Sequence, residues 1–322
     1  MSASVPQVLR FLIGPTAVGK SAAALALAER HGCELVSLDS MQVYRGMDIG
    51  TAKPSAAERR RVRHHMLDLV GPEERFDVQR YLRELEPVAA DLERRGARAL
   101  FVGGTGFYLK ALTHGLFEGP SVDHELRARL EARYATEGAA VLHAELARVD
   151  PPAAARIHAR DRKRVLRGLE VFEQTGRTLS DWQREWGWHG RAAAPRTARI
   201  AGLDCPMPEL EARIGARTRA MLEQGWVEEA RAIRAGPGFG PTAIQALGYA
   251  EALALGEDRL SRSECEQQIL RATRQFARRQ RTWWRKLDVH WLAALPESST
   301  GELPADRLGE LARALDLVAL SS

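Results

Sequence analysis

The sequence predicts an α/β protein: a P-loop-type parallel sheet flanked by helices, with an inserted all-helical domain. Three observations carry this expectation. The apolar run Val8-Leu9-Arg10-Phe11-Leu12-Ile13 leads directly into GPTAVGKS (14–21), and an alanine-rich helical run follows. Over the first hundred residues, short apolar segments alternate with helical periodicity, the pattern of a parallel sheet. From residue 123 to about 175 the sequence turns wholly helical and rich in Ala, Arg and Glu.

Taken in order, the first strand ends at Ile13. A second reads Glu34-Leu35-Val36-Ser37-Leu38 and stops at Asp39-Ser40. Helical sequence follows over 76–95. A buried strand over 97–102 closes on Gly103-Gly104-Thr105-Gly106, and helix resumes over 107–112. The character changes near Gly119-Pro120. The helical stretch beyond it breaks at Asp150-Pro151-Pro152, since proline cannot continue a helix. Strand-like sequence returns over 198–203. Long helices are expected over 208–235 and 263–286, and an amphipathic segment over 305–320 packs back on the core. The expected organisation is a first core part (1–118), a helical insertion (119–195) and a second, mostly helical core part (196–322).

GPTAVGKS has the P-loop spacing in its required context of strand, glycine turn and helix. Its glycines let backbone N–H groups wrap a phosphate, and the helix N-terminus adds positive potential. The expected diphosphate-binding residues are Gly14, Pro15, Thr16, Ala17, Val18, Gly19, Lys20 and Ser21. Lys20 would reach the outer phosphates and the Ser21 hydroxyl would hold Mg²⁺. Asp39, at the carboxyl end of a strand, faces the ligand crevice of an open α/β sheet and can accept a proton there. The other strand ends in Gly-Gly-Thr-Gly, where a hydrolytic ATPase carries a second acid. His64-His65 with Asp68 fits no firm zinc rule and reads as structural hydrogen bonding. Trp182, Trp186 and Trp188 recur at helical spacing and read as packing.

With 45% hydrophobic and 28% charged residues, the composition is that of an ordinary soluble protein. No apolar run approaches a membrane span. Cys33, Cys205 and Cys265 are isolated, which argues against disulfides and zinc and for a reducing, cytoplasmic setting. The net charge of +5 is concentrated. Residues 261–290 carry eight Lys/Arg against three Asp/Glu, so the rest of the chain sums to zero. RIHARDRKRVLR (156–167) is a second basic cluster with a single acid, Asp161. Two basic segments on a neutral background point to a polyanionic partner. In the late helix, Ile269, Leu270, Thr273, Phe276, Ala277 and Trp284 form one stripe, while Arg271, Arg274, Arg278, Arg281 and Arg285 recur at three or four residues. No acid between 269 and 286 offsets them, which favours contact with a phosphate backbone.

Together these motifs resemble the bacterial tRNA dimethylallyltransferases (tRNA isopentenyltransferases). The likeness runs from GPTAVGKS through LVSLDSMQVYRGMDIGTAKP (35–54), RHHMLD (63–68), GGTGFYLKAL (103–112), DRKRVLRGLEVFEQTG (161–176), AIQALGYAE (243–251) and TRQFARRQRTWWRK (273–286). The chain departs from the family pattern at Arg63 and at Cys205-Pro206-Met207-Pro208, which bears on local loops. The resemblance implies transfer of the dimethylallyl group from dimethylallyl diphosphate to N6 of the adenosine 3′-adjacent to the anticodon (position 37), with Mg²⁺ assisting. It implies Asp39 as the base, Thr16 on the leaving bridging oxygen and Arg217 on the diphosphate. It further implies tRNA contacts at Asp39, Ser40, Met41, Gln42, Thr105, Arg127, Lys163, Arg164, Val165, Leu166, Arg167, Gln245, Gly248, Tyr249, Ala277, Arg278, Arg279, Gln280 and Arg281. The partner is the anticodon stem-loop, gripped by the insertion, and the expected form is a monomer. A P-loop small-molecule kinase with Asp39 as base, or a non-catalytic RNA-binding module, are the alternatives on the residues alone.

Overall fold

A computed structural model describes residues 8–115, 120, 122–185, 197–295 and 304–318. The elements in order are β1 (Val8–Ile13), α1 (Lys20–His31), β2 (Cys33–Leu38), α2 (Ala56–Arg61), β3 (His64–His65), α3 (Val78–Arg94), β4 (Arg98–Gly103) and α4 (Gly106–His114). Then come α5 (His124–Glu137), α6 (Ala139–Val149), α7 (Pro151–Arg156), α8 (Arg162–Thr175) and α9 (Leu179–Glu185). The remainder is β5 (Thr197–Asp204), α10 (Met207–Glu223), α11 (Trp226–Ala235), α12 (Tyr249–Gly256), α13 (Arg262–Trp284), β6 (His290–Ala293) and α14 (Ala305–Ala314).

The chain divides into two compact units, one of Met1–Lys110 with Arg196–Ser322 and one of Ala111–Pro195. The first unit holds a six-stranded sheet in the order β3-β2-β4-β1-β5-β6, parallel throughout. Helices cover its faces, so the central strands read as continuous apolar runs. Leu9, Phe11, Leu12, Ile13, Val36, Leu38 and Leu100 are fully buried or nearly so. The register matters most for function. Ile13 lies opposite Gly103 and Gly202, and Leu38 lies opposite Gly103. The loops that follow β1, β2, β4 and β5 therefore emerge side by side at one edge, where ligands bind in open α/β sheets.

Most expected elements are present, with three differences. The stretch expected as one helix over 208–235 is two, because Gly225 adopts φ 101° and turns the chain between α10 and α11. His64-His65 forms a short strand on β2, with His65 Nε2 2.6 Å from Glu34 and His64 Nδ1 2.8 Å from the Val62 carbonyl oxygen. The last segment is helical only to Ala314. Its Leu308, Leu311, Ala312 and Leu315 join Ala23 and Leu27 of α1 in one apolar cluster.

The second unit is helical, with a core of Leu126, Leu130, Leu142, Leu146, Ala154, Val165, Leu166 and Leu169. Aspartates cap its helices: Asp123 accepts from the Leu126 amide, Asp150 from Ala153 and Asp161 from Arg164. Buried Asp150 also accepts from the Ser180 amide at 2.9 Å, tying the start of α7 to α9. Trp182 lies beneath the Arg177 guanidinium, 4.3 Å from its ring centre. Trp186 and Trp188 lie outside the described residues, as does Gly119. No helix among the described residues is long and apolar enough to cross a membrane. The three cysteines are free and buried.

Candidate active site

A cavity of about 790 Å³ opens at the carboxyl edge of the sheet in the α/β unit. The P-loop forms its floor. Gly14 has φ 150°, and a Cβ there would sit 2.3 Å from the Leu203 carbonyl oxygen, so β1 can turn against β5 only with glycine. Thr16, Lys20 and Ser21 line the cavity from this loop, and Ser21 is exposed to it.

From β2, Asp39 enters the cavity with its carboxylate held in place. Its Oδ1 accepts from the Met41 amide at 2.8 Å and the Gln42 amide at 3.4 Å, a turn that fixes the carboxylate direction. Burial pushes the Asp39 carboxyl above the ordinary range, against those two amides and the charges of Lys20 and Arg217. Gln42 accepts from the Ser37 hydroxyl and donates to the Thr51 and Ala52 carbonyl oxygens. The Ser40 amide donates to Thr105 Oγ1 at 3.2 Å, and the Thr105 amide donates back to the Leu38 carbonyl oxygen. The ends of β2 and β4 are thereby stitched together.

The cations come from two elements. Lys20 Nζ donates to the Pro15 carbonyl oxygen at 2.7 Å. The surface it retains faces the cavity, and the enclosing protein with the Arg217 charge lowers its ammonium to about 7. Arg217, on α10, donates from Nη2 to Thr16 Oγ1 at 2.6 Å. The structure thus brings Thr16, Lys20, Ser21, Asp39 and Arg217 to one cavity, together with Ser40, Met41, Gln42, Thr105, Gln245, Arg279 and Gln280.

Other sequence-predicted residues stand elsewhere. Val165 and Leu166 are buried in the helical core, and Ala277 and Tyr249 are buried in the α/β unit, so these side chains form no surface for RNA. The reason is periodicity: each falls on the inward face of its helix. The Tyr249 hydroxyl donates to Glu229 at 2.7 Å, and Gly248 is buried against Trp226. Arg127 and Arg167 both pair with Glu170, a fully buried carboxylate. Arg281 bonds Asp204 and the Cys205 carbonyl oxygen. Arg164 is largely exposed, and Arg278 and Arg279 are exposed on α13.

Two supporting residues, Glu229 and Lys53, escaped the sequence reading. Glu229 accepts from the amides of Asp48, Ile49 and Gly50, fixing the wall that carries Thr51 and Ala52. Lys53, fully enclosed, donates to Asp48, Asp68 and the Tyr44 carbonyl oxygen. Gln280, expected as a tRNA contact, is buried and holds the P-loop from α13. Among the described residues no group of His, Cys, Asp and Glu is arranged to hold a metal by itself.

A family model described as IPP transferase matches residues 42–287, and one described as isopentenyl transferase matches 7–73. The tRNA dimethylallyltransferase of Syntrophobacter fumaroxidans is 44% identical over 94% of this chain and 90% of its own. That of Anaeromyxobacter dehalogenans is 46% identical over 88% and 94%. Among solved structures, the tRNA isopentenylpyrophosphate transferase of Bacillus halodurans superposes with TM-score 0.66 at 33% identity, covering 96% of each chain. A eukaryotic dimethylallyltransferase acting on tRNA reaches 0.75 at 26% identity, covering 93% of this chain and 77% of that one.

Proposed function

The chain belongs to the IPP transferase family, and from that premise we propose that it transfers a dimethylallyl group from dimethylallyl diphosphate to N6 of the adenosine 3′-adjacent to the tRNA anticodon. The observation that carries this reading is the convergence of the Asp39 carboxylate, the Thr16 hydroxyl and the Lys20 and Arg217 cations on a single cavity.

In the reaction, the bond from the allylic carbon to the bridging oxygen breaks and a bond to N6 forms. N6 of adenine is a weak nucleophile because its lone pair is delocalised. Departure of diphosphate therefore sets the barrier, and charge grows on its oxygens. Arg217 donates to Thr16 Oγ1, which leaves the Thr16 proton free to point at the bridging oxygen. Lys20, Arg217 and the loop amides stabilise the growing charge. Asp39, aimed by its amide turn, accepts the N6 proton. Ser40, Met41, Gln42 and Thr105 surround the nucleotide, which must leave its stack to enter the cavity.

Ser21 stands at the cavity beside Lys20 and suits a Mg²⁺ that takes its other ligands from phosphate and water. The ion would supply further neutralisation of the diphosphate. Arg278 and Arg279 are exposed on α13, Arg279 also lining the cavity, and are available to the tRNA backbone. This reading assigns a monomer working in the cytoplasm, the compartment of its RNA substrate.

The test is label transfer from radiolabelled dimethylallyl diphosphate into unmodified tRNA with Mg²⁺. Wild type should label the RNA. Asp39→Asn should bind tRNA as well as wild type and lose about 10²-fold or more in turnover. An unlabelled tRNA with wild type would overturn the reading, and undiminished turnover in Asp39→Asn would remove Asp39 as the base.

A further inference from the structure

Helix α13 carries two kinds of polar residue. Arg278 and Arg279 are exposed. Gln280, the next residue, is only 6% exposed. Both ends of its side-chain amide are engaged across separate loops. Its Oε1 accepts from the Thr16 amide of the P-loop at 3.0 Å. Its Nε2 donates to the Gly104 carbonyl oxygen, after β4, at 3.1 Å. The fit is close: a Cβ on Gly104 would lie 2.1 Å from Nε2, so only glycine admits the amide. One turn of helix on, a Cβ on Gly106 would meet the Trp283 ring at 2.8 Å, so α13 lies tight on this loop. Arg281 fixes the same turn of α13 to Asp204 and Cys205 at the end of β5.

We infer that Gln280 is a positioning residue for the reaction: its amide sets the direction of the Thr16 backbone, and hence of the Thr16 hydroxyl, rather than touching tRNA. This inference rests on the function proposed above. Thr16 uses its amide on Gln280 and its Oγ1 on Arg217, so two side chains define the orientation of one hydroxyl. The P-loop ordinarily spends its N–H groups on phosphate; here the Thr16 N–H is directed to protein instead. Only a side chain with a donor and an acceptor at fixed spacing satisfies both Thr16 and Gly104. Such orientation matters most in the transition state, where small misplacement of a donor is costly.

The experiment compares wild type, Thr16→Ala, Gln280→Met and the double variant in label transfer. Tight binding of tRNA is measured in parallel, as is binding of inorganic diphosphate. Gln280→Met should lower kcat about 10- to 100-fold, with tRNA affinity unchanged. In the Thr16→Ala background the same change should cost little, because the group it acts through is gone. Gln280→Glu adds a second reading. Its carboxylate accepts from Thr16 but repels the Gly104 oxygen until protonated, so its kcat relative to wild type should rise as pH falls. The Met variant should show no such recovery. Lost tRNA affinity with unchanged kcat would make Gln280 an RNA contact and overturn the inference. Full additivity with Thr16→Ala would overturn it equally. Wild type inactive on tRNA would instead sink the proposed reaction. The loop claim would then stand or fall on whether Gln280→Met weakens diphosphate binding.

Discussion

Two lysines of the α/β unit, Lys20 and Lys53, are held in the protein on opposite terms. Lys53 has no exposed side-chain surface and three acceptors: Asp48 at 2.6 Å, Asp68 at 2.7 Å and the Tyr44 carbonyl oxygen at 2.7 Å. Its charge is answered inside the fold. Lys20 donates to one neutral acceptor, the Pro15 carbonyl oxygen, and its other electrostatic neighbours are Arg217 and Asp39. Burial near a second cation brings its ammonium down to about 7. A buried cation without a bonded anion is costly to fold and favourable to bind against, because an anionic ligand gains charge that the protein has already desolvated. The contrast separates a lysine that builds the cavity wall from one that serves what enters it.

The same substitution at both positions breaks this comparison or sharpens it. Lys20→Met should cost about 10²–10³ in transfer rate, while leaving folding stability equal or higher in urea. Lys53→Met should instead lower unfolding free energy by about 1–3 kcal/mol, since it takes the donor from the enclosed Tyr44 carbonyl oxygen and the cation from Asp48 and Asp68, the latter keeping Arg59. Denaturation curves and single-turnover rates on both variants check the pair. Equal destabilisation by the two would erase the distinction.

The arginines divide in a similar way, with a smaller effect. In the helical unit Arg127 and Arg167 spend their charge on buried Glu170, whereas Arg278 and Arg279 on α13 are exposed. Replacing Arg278 and Arg279 by Ala should weaken tRNA binding. It should also flatten the log–log salt dependence by about one unit per lost phosphate contact. Filter binding over a salt series measures that slope, and an unchanged slope would remove these arginines from the RNA surface.

What could be read in the sequence follows from where the information lies. The β1–P-loop–α1 unit was legible because local spacing dictates it: apolar strand, glycine turn, helix. Asp39 was legible because a strand end in a parallel sheet faces the crevice. Strand β3 was not, since two residues, His64-His65, give no periodicity to read. Glu229 and Lys53 act on partners distant in sequence or hidden in an irregular loop, and nothing local marks them. Gln280 did leave a signal. It lies seven residues after Thr273 and four before Trp284, within the buried stripe of α13, so it is a polar residue on an apolar face. Conversely, Val165, Leu166 and Ala277 carry the resemblance within basic segments, yet helical spacing turns them inward.

The most direct test of the central claim, that Lys20 supplies its charge to a diphosphate, is the proton balance of binding. The Lys20 ammonium is lowered to about 7 before ligand arrives, and a polyanion beside it raises that value. Binding should therefore take up protons above pH 7 and weaken as pH rises, with little dependence below. Titration calorimetry with inorganic diphosphate at pH 8, in buffers of different ionisation enthalpy, reads the uptake after subtraction of the ligand's own ionisation. The account predicts uptake approaching one proton in wild type and its loss in Lys20→Met. Equal uptake in both, or none in wild type, would contradict it.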